Sequence, residues 1–137
     1  YDRAHETIYF IDEIYENKLT NEASGNMVLK RGYRDAYITC DSAEPKSAAD
    51  FRSMGLPAKE AIKGPGSVEY GMKWLQRRKI VIDRRRTPHA YEEFVNYEYE
   101  RNKDGDIISG YPDENNHLID ATRYALERVF RRMGVTA

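Results

Sequence analysis

The chain of 137 residues has one cysteine, Cys40, so no disulfide can form within it and a reducing compartment is expected. It has no apolar run near the roughly 20 residues a membrane-spanning helix needs, and no secretory-leader pattern at its start. No membrane is therefore expected among its partners. The GxxxxGK[ST] phosphate loop is missing as well: "IKGPGS" has Lys63 and the glycines but not that spacing, so no nucleotide-driven motor is expected in this segment. Methionine does not occur before Met27, so the sequence reads as a piece cut from a longer protein. There is no internal repeat and no low-complexity linker.

What is present is the composition of a folded domain. Apolar residues make up 40%, charged residues 33%, and the net charge is −1. A chain of this size can bury roughly two-thirds of its unfolded surface, enough for one core. The near-neutral total hides clustering. Basic residues gather at Lys30-Arg31, Arg77-Arg78-Lys79, Arg84-Arg85-Arg86 and Arg131-Arg132, and acids in "EEFVNYEYE". Such clusters are either a stripe for phosphates or ordinary solvated faces.

Strand and helix signals alternate. "ETIYFIDEIYE" (residues 6–16) alternates Ile8 and Phe10 against Tyr9 and Ile11, which predicts a strand, with "YDRAHE" as a turn before it. Residues 19–32 predict a helix capped by Thr20 or Asn21 and ended by Gly32, although Gly25 weakens its middle. "DAYITCD" predicts a short buried strand that stops near Asp41 because Pro45 cannot continue a ladder. A helix to Gly55, a weak strand from Ala58 and a Gly-Pro-Gly loop follow. Ser67 is then expected to cap a helix, marked by apolar residues at Val68, Met72 and Leu75. "KIVID" predicts a strand. Thr87-Pro88 predicts a helix start, with the later "VNYEYERN" turning into a strand and "KDGD" into a turn. A final helix is expected from about Asn116 to Arg132, packing through Leu118, Ala121, Ala125 and Val129. This is an α/β pattern with a mixed sheet.

The stretch "DENNHLIDATRYALE" places His117 and Asp120 three residues apart, on one face of the first turn of that helix. By itself this is also what a capped surface helix looks like. A second acid, Asp41, ends a predicted buried strand, where ligands gather in α/β sheets; it could equally open a turn before Ser42. Two carboxylates converging from these places would suit Mg²⁺ or Mn²⁺, which prefer hard oxygen ligands. Asp83 and Glu44 are weaker acid candidates. Lys63 and the Arg84, Arg85, Arg86 cluster are candidates for phosphate contact. Arg123 could contact DNA or pair with an acid.

Taken together, "YITCDSAEPKSAADFRSMG", "AIKGPGSVEYGMKWLQRRKIVID" and "DENNHLIDATRYALE" resemble the C-terminal nuclease domain of the large terminase subunit of tailed phages and prophages, over nearly the whole chain. The resemblance implies a ribonuclease H-like mixed β-sheet flanked by helices, forming one domain over residues 1–137. It implies a DNA endonuclease that cuts concatemeric viral DNA during packaging by two-metal hydrolysis, with Mg²⁺ or Mn²⁺ held by Asp41, Asp120 and His117. It implies double-stranded DNA as partner, an ATPase domain in the parent chain, a small terminase subunit and a portal protein, all in the cytoplasm of the bacterial host. Lys63, Arg84, Arg85, Arg86 and Arg123 are the corresponding DNA-binding candidates. The family carries a further catalytic aspartate on its first strand, ahead of a hairpin. This chain starts at that hairpin, so the domain is expected to lack its first strand or strands, and the exposed sheet edge could pair with a second copy. A fragment lacking one acid also fits a non-catalytic DNA-binding or docking module of the packaging motor. Another ribonuclease H-like enzyme, such as a junction resolvase, is the third alternative.

Overall fold

The structure is a computed structural model that describes residues 1–98, 100–109 and 111–132; the side chains of the Arg131-Arg132 cluster lie outside this description. Its elements in chain order are β1 (Thr7–Phe10), α1 (Asn21–Lys30), β2 (Ile38–Cys40), α2 (Pro45–Ser53), β3 (Ala58–Glu60), α3 (Ser67–Gln76), β4 (Lys79–Ile82), α4 (Pro88–Asn96), β5 (Glu100–Arg101), β6 (Ile107–Ser109) and α5 (His117–Arg132). The order is α/β, as expected. The described strands pair in twos: β1 with β4 and β2 with β3 in parallel, β5 with β6 antiparallel. The chain divides into two compact units, one made of Tyr1–Glu13 and Gly66–Arg123, the other of Ile14–Pro65 and residues 124–132. The boundary falls within α5.

In the first unit, β1 lies in register with β4, Ile8 opposite Ile80 and Phe10 opposite Ile82. The alternation read from the sequence holds, since Ile8 is 5% exposed and Tyr9 52%. The strand is shorter than expected, ending at Phe10, because the partner strand offers only the four positions from Lys79 to Ile82. "YDRAHE" is a turn, closed by paired backbone bonds between Asp2 and Thr7. On α3, Gly71, Met72, Trp74 and Leu75 are buried. Trp74 packs against the Tyr1 ring at 5.4 Å, and the Arg78 guanidinium lies 4.4 Å from its ring centre. One expectation fails on this helix. Gly66, at φ 75°, takes the capping position and Ser67 is the first helical residue; a left-handed φ favours glycine. Val68 is 47% exposed because it sits in the first turn, at the end of the helix.

Gly71 of α3 lies against the Arg123 side chain of α5. A Cβ there would lie 2.8 Å from Arg123 Cδ and 3.1 Å from its Cγ. Those atoms are mid-chain in a buried side chain and cannot swing aside. Gly71→Val is therefore expected to lower stability by about 1–3 kcal/mol through overpacking, read as a shift of the urea midpoint at unchanged slope.

Helix α4 starts at Pro88, as "TP" predicts, but the Thr87 hydroxyl does not cap it. A carboxylate distant in sequence does. Glu13 accepts from His89 N at 3.0 Å, from Ala90 N at 3.0 Å and from the His89 ring at 2.9 Å. Burial pushes the Glu13 carboxyl up, but the His89 and Ala90 hydrogen bonds outweigh it and hold the group below its ordinary value of 4.5. A depressed carboxyl pKa gives stability that is present above pH 4.5 and lost as pH falls through the folded value. Glu13→Gln is expected to flatten this acid limb in melts run from pH 6 down to pH 3.

In the second unit, α1 is capped as expected, Thr20 Oγ1 accepting from Ala23 N at 3.1 Å. Gly25 is buried because Met54, the residue that ends α2, packs against it; a Cβ would stand 2.5 Å from Met54 Sδ. β2 pairs with β3 from Ile38↔Ala58 to Cys40↔Glu60. Cys40 is buried, and that burial raises its thiol pKa, so it is inert as a nucleophile.

The packing face expected for α5 is wrong. Ala121 and Ala125 are exposed, while Ile119, Thr122, Arg123, Glu127 and Phe130 are buried. These positions still follow helical spacing, but three of the five are polar or charged, so an apolar-stripe reading chose the neighbouring face.

Candidate metal and nucleic-acid site

Asp41 follows β2 directly, at its carboxyl end, where the sequence places it. Its Oδ1 accepts from Ala43 N at 3.0 Å, so it does open a turn, and the same oxygen pairs with Lys63 Nζ. The Asp41 carboxylate holds the Lys63 ammonium above its usual pKa. The Lys63 Nζ also lies 5.6 Å from the Tyr124 ring centre. Both partners of the ion pair are about half exposed, at 45% and 50%, so a cation or a phosphate can compete for either.

His117 and Asp120 occupy the first turn of α5. His117 is exposed and Asp120 half-buried. Asp120 N donates to Asn116 O at 2.8 Å, and Asp120 Oδ1 accepts from Arg123 at 3.0 Å. Arg123 is 7% exposed, so of its two readings the structure shows the ion pair. The Arg84, Arg85, Arg86 cluster is exposed on a turn after β4. Asp83 builds that turn: its side chain accepts from Arg85 N at 2.8 Å and its carbonyl from Arg86 N and Thr87 N, each at 3.0 Å. Arg84 lies 5.2 Å from the Tyr91 ring centre.

Glu93 was hidden in the acid-rich "EEFVNYEYE" and read as part of a charge cluster. Its Oε1 accepts from Leu118 N at 2.8 Å and Ile119 N at 3.2 Å, so α4 caps the helix that carries His117 and Asp120. Burial raises the Glu93 carboxyl pKa, with Asp120 adding to the rise, against the pull of those two N–H groups and His117. Its Oε2 is buried with no hydrogen-bond partner among the described residues. No sequence signal marks this role, because a cap donated from another helix has no fixed spacing.

Asp120 and His117 share one turn of α5, a carboxylate and an imidazole of the kinds a divalent cation accepts. In the other unit, Asp41 brings a second carboxylate to a strand end. Among the described residues, no group of three His, Cys, Asp or Glu is already gathered around one point. Asp41 lies in one unit and His117 and Asp120 in the other. No helix among the described residues is long and apolar enough to cross a membrane.

Residues 2–128 match the family described as the terminase RNase H-like domain. The chain belongs to that family. It is 42% identical to the terminase large subunit of Bacillus phage SPP1 over 99% of its own length and 33% of that protein. It is 30% identical to the PBSX phage terminase large subunit of Bacillus subtilis (strain 168) over 88% of this chain and 28% of that one. The chain thus spans about a third of the length of these curated relatives. A crystal structure of the large terminase nuclease domain from bacteriophage SPP1 with bound Mn matches at TM-score 0.86 and 42% identity, covering 94% of this chain and 75% of that one. The ribonuclease H-like α/β class expected from the sequence is therefore the fold of this chain, and it is homologous to a nuclease domain of a terminase large subunit.

Proposed function

We propose that this chain is the metal-dependent DNA endonuclease domain of a phage or prophage terminase large subunit, cutting concatemeric DNA during genome packaging by two-metal phosphodiester hydrolysis. One observation carries the reading. A carboxylate and an imidazole share the first turn of α5 in a chain that superposes closely on a nuclease domain solved with Mn.

Asp41, Asp120 and His117 are the residues that would hold Mg²⁺ or Mn²⁺. When bound, such ions make a water nucleophilic and stabilise the oxygen that leaves the phosphorus. A cation held by Asp41 would compete with Lys63 for that half-exposed carboxylate, and Asp120 would offer its charge from a carboxylate that Arg123 orients. His117, exposed, can also hold or pass a proton at its ring nitrogens. Arg84, Arg85 and Arg86 offer solvent-facing guanidinium groups to the DNA backbone, and a released Lys63 adds another cation. Arg123, buried, acts on DNA only through Asp120.

The partners on this reading are double-stranded DNA, the ATPase domain of the parent chain, the small terminase subunit and the portal protein, in the cytoplasm of the bacterial host. The ion pairs Asp41–Lys63 and Asp120–Arg123 favour a second reading, in which the chain binds DNA without cutting it, because each acid already has a cation. Plasmid nicking with Mn²⁺, measured beside filter binding over a salt series, separates the two. Nicking that vanishes in Asp41→Ala supports the endonuclease. Binding that is salt-sensitive but indifferent to Mn²⁺, with no nicking, supports the binding module.

A further inference from the structure

Glu93 does more than end a helix. It comes from α4, and its Oε1 takes both the second and the third N–H of α5, the two amides a capping side chain of α5 itself would satisfy. Those amides follow His117 directly and precede Asp120 directly. Any axial slide or tilt of the first turn of α5 would break both bonds, so the clamp fixes where His117 and Asp120 stand relative to α4. From the other side Arg123 holds Asp120 Oδ1, itself seated on Gly71. The turn is thus gripped at its backbone by one side chain and at its carboxylate by another. The second Glu93 oxygen is buried without a hydrogen-bond partner among the described residues, so the clamp rests on Oε1 alone. A neutral glutamine would cap as well, with an amide in that place.

We propose that Glu93 is a positioning residue for the metal-binding turn, holding His117 and Asp120 in the arrangement that takes a divalent cation. This rests on the endonuclease reading of those two residues. Supporting groups of this kind typically change metal affinity by about 10- to 100-fold when removed.

The test is Mn²⁺ affinity, followed by isothermal titration on the intact 137-residue chain, beside amide exchange at Leu118 and Ile119. Glu93→Ala is expected to weaken Mn²⁺ binding about 10- to 100-fold and to speed exchange at both amides. Glu93→Gln keeps an acceptor oxygen and is expected to restore affinity to within about threefold. Should the alanine variant fold poorly, Glu93→Asp serves instead: one methylene shorter, it cannot reach both amides and should weaken binding while circular dichroism stays unchanged. Wild-type affinity in folded Glu93→Ala, or equal losses in the glutamine and alanine variants, overturns the positioning role, the second because charge rather than the clamp would then matter. The endonuclease reading fails differently: Mn²⁺ affinity would not respond to Asp120→Asn, whatever Glu93 variants do.

Discussion

Asp120→Asn is expected to lower Mn²⁺-dependent nicking at least about 100-fold while leaving the fold intact. On the proposed endonuclease reading, losing this charged group would remove several kcal/mol of charge stabilisation, and each 1.4 kcal/mol or so is tenfold in rate. Asparagine keeps an acceptor for Arg123, whose guanidinium donates to Asp120 Oδ1 at 3.0 Å. The amide cannot replace the lost counter-charge, so the urea midpoint should fall, though by less than in Asp120→Ala. Asp120→Ala is a poorer probe, because it leaves a guanidinium that is 8% exposed without this carboxylate, at a further cost of about 1–3 kcal/mol. Salt-sensitive DNA binding should survive in the asparagine variant, since the exposed arginines of the 84–86 turn are untouched. Wild-type nicking by Asp120→Asn would remove Asp120 from the chemistry altogether.

The largest stability effect is expected at Glu127. Its side chain is 5% exposed, accepts from Ile62 N at 3.1 Å and 3.3 Å through its two oxygens, and pairs with Lys59 Nζ at 3.3 Å. Ile62 follows β3 and immediately precedes Lys63, so this carboxylate ties α5 to the strand end from which Lys63 extends. Glu127→Ala leaves an amide without its acceptor and a lysine without its counter-charge. Lys59, 31% exposed, can turn to water, which limits the loss. The net cost is expected to be about 2–4 kcal/mol, measured by equilibrium urea unfolding. Glu127→Gln keeps an acceptor for the amide and should lose about half as much. If Glu127→Leu proves as stable as wild type, hydrophobic filling compensates and the ion pair contributes specificity rather than stability.

Local signals carried much of the architecture. Thr20 caps α1, Pro88 opens α4 and Asp41 follows β2, all from residue type and spacing. The errors fell where a residue's role depends on something distant. Ser67 was chosen as a cap because serine caps helices, but Gly66 reached the left-handed conformation more cheaply. The face of α5 was misassigned because its buried positions hold Thr122, Arg123 and Glu127, each of which bonds a group far along the chain or one turn away. Glu13 and Glu93 went unnoticed as caps because each serves a helix it does not belong to.

By itself the sequence determined the α/β class, the family resemblance and the candidate set of Asp41, His117 and Asp120, because periodicity, punctuation and motif spacing act between neighbours in the chain. Only the tertiary structure decided which charges neutralise which. Lys63 beside Asp41, Arg123 under Asp120 and Glu93 at the head of α5 are pairings whose energy depends on distance in space and on burial, and neither quantity is written in residue order.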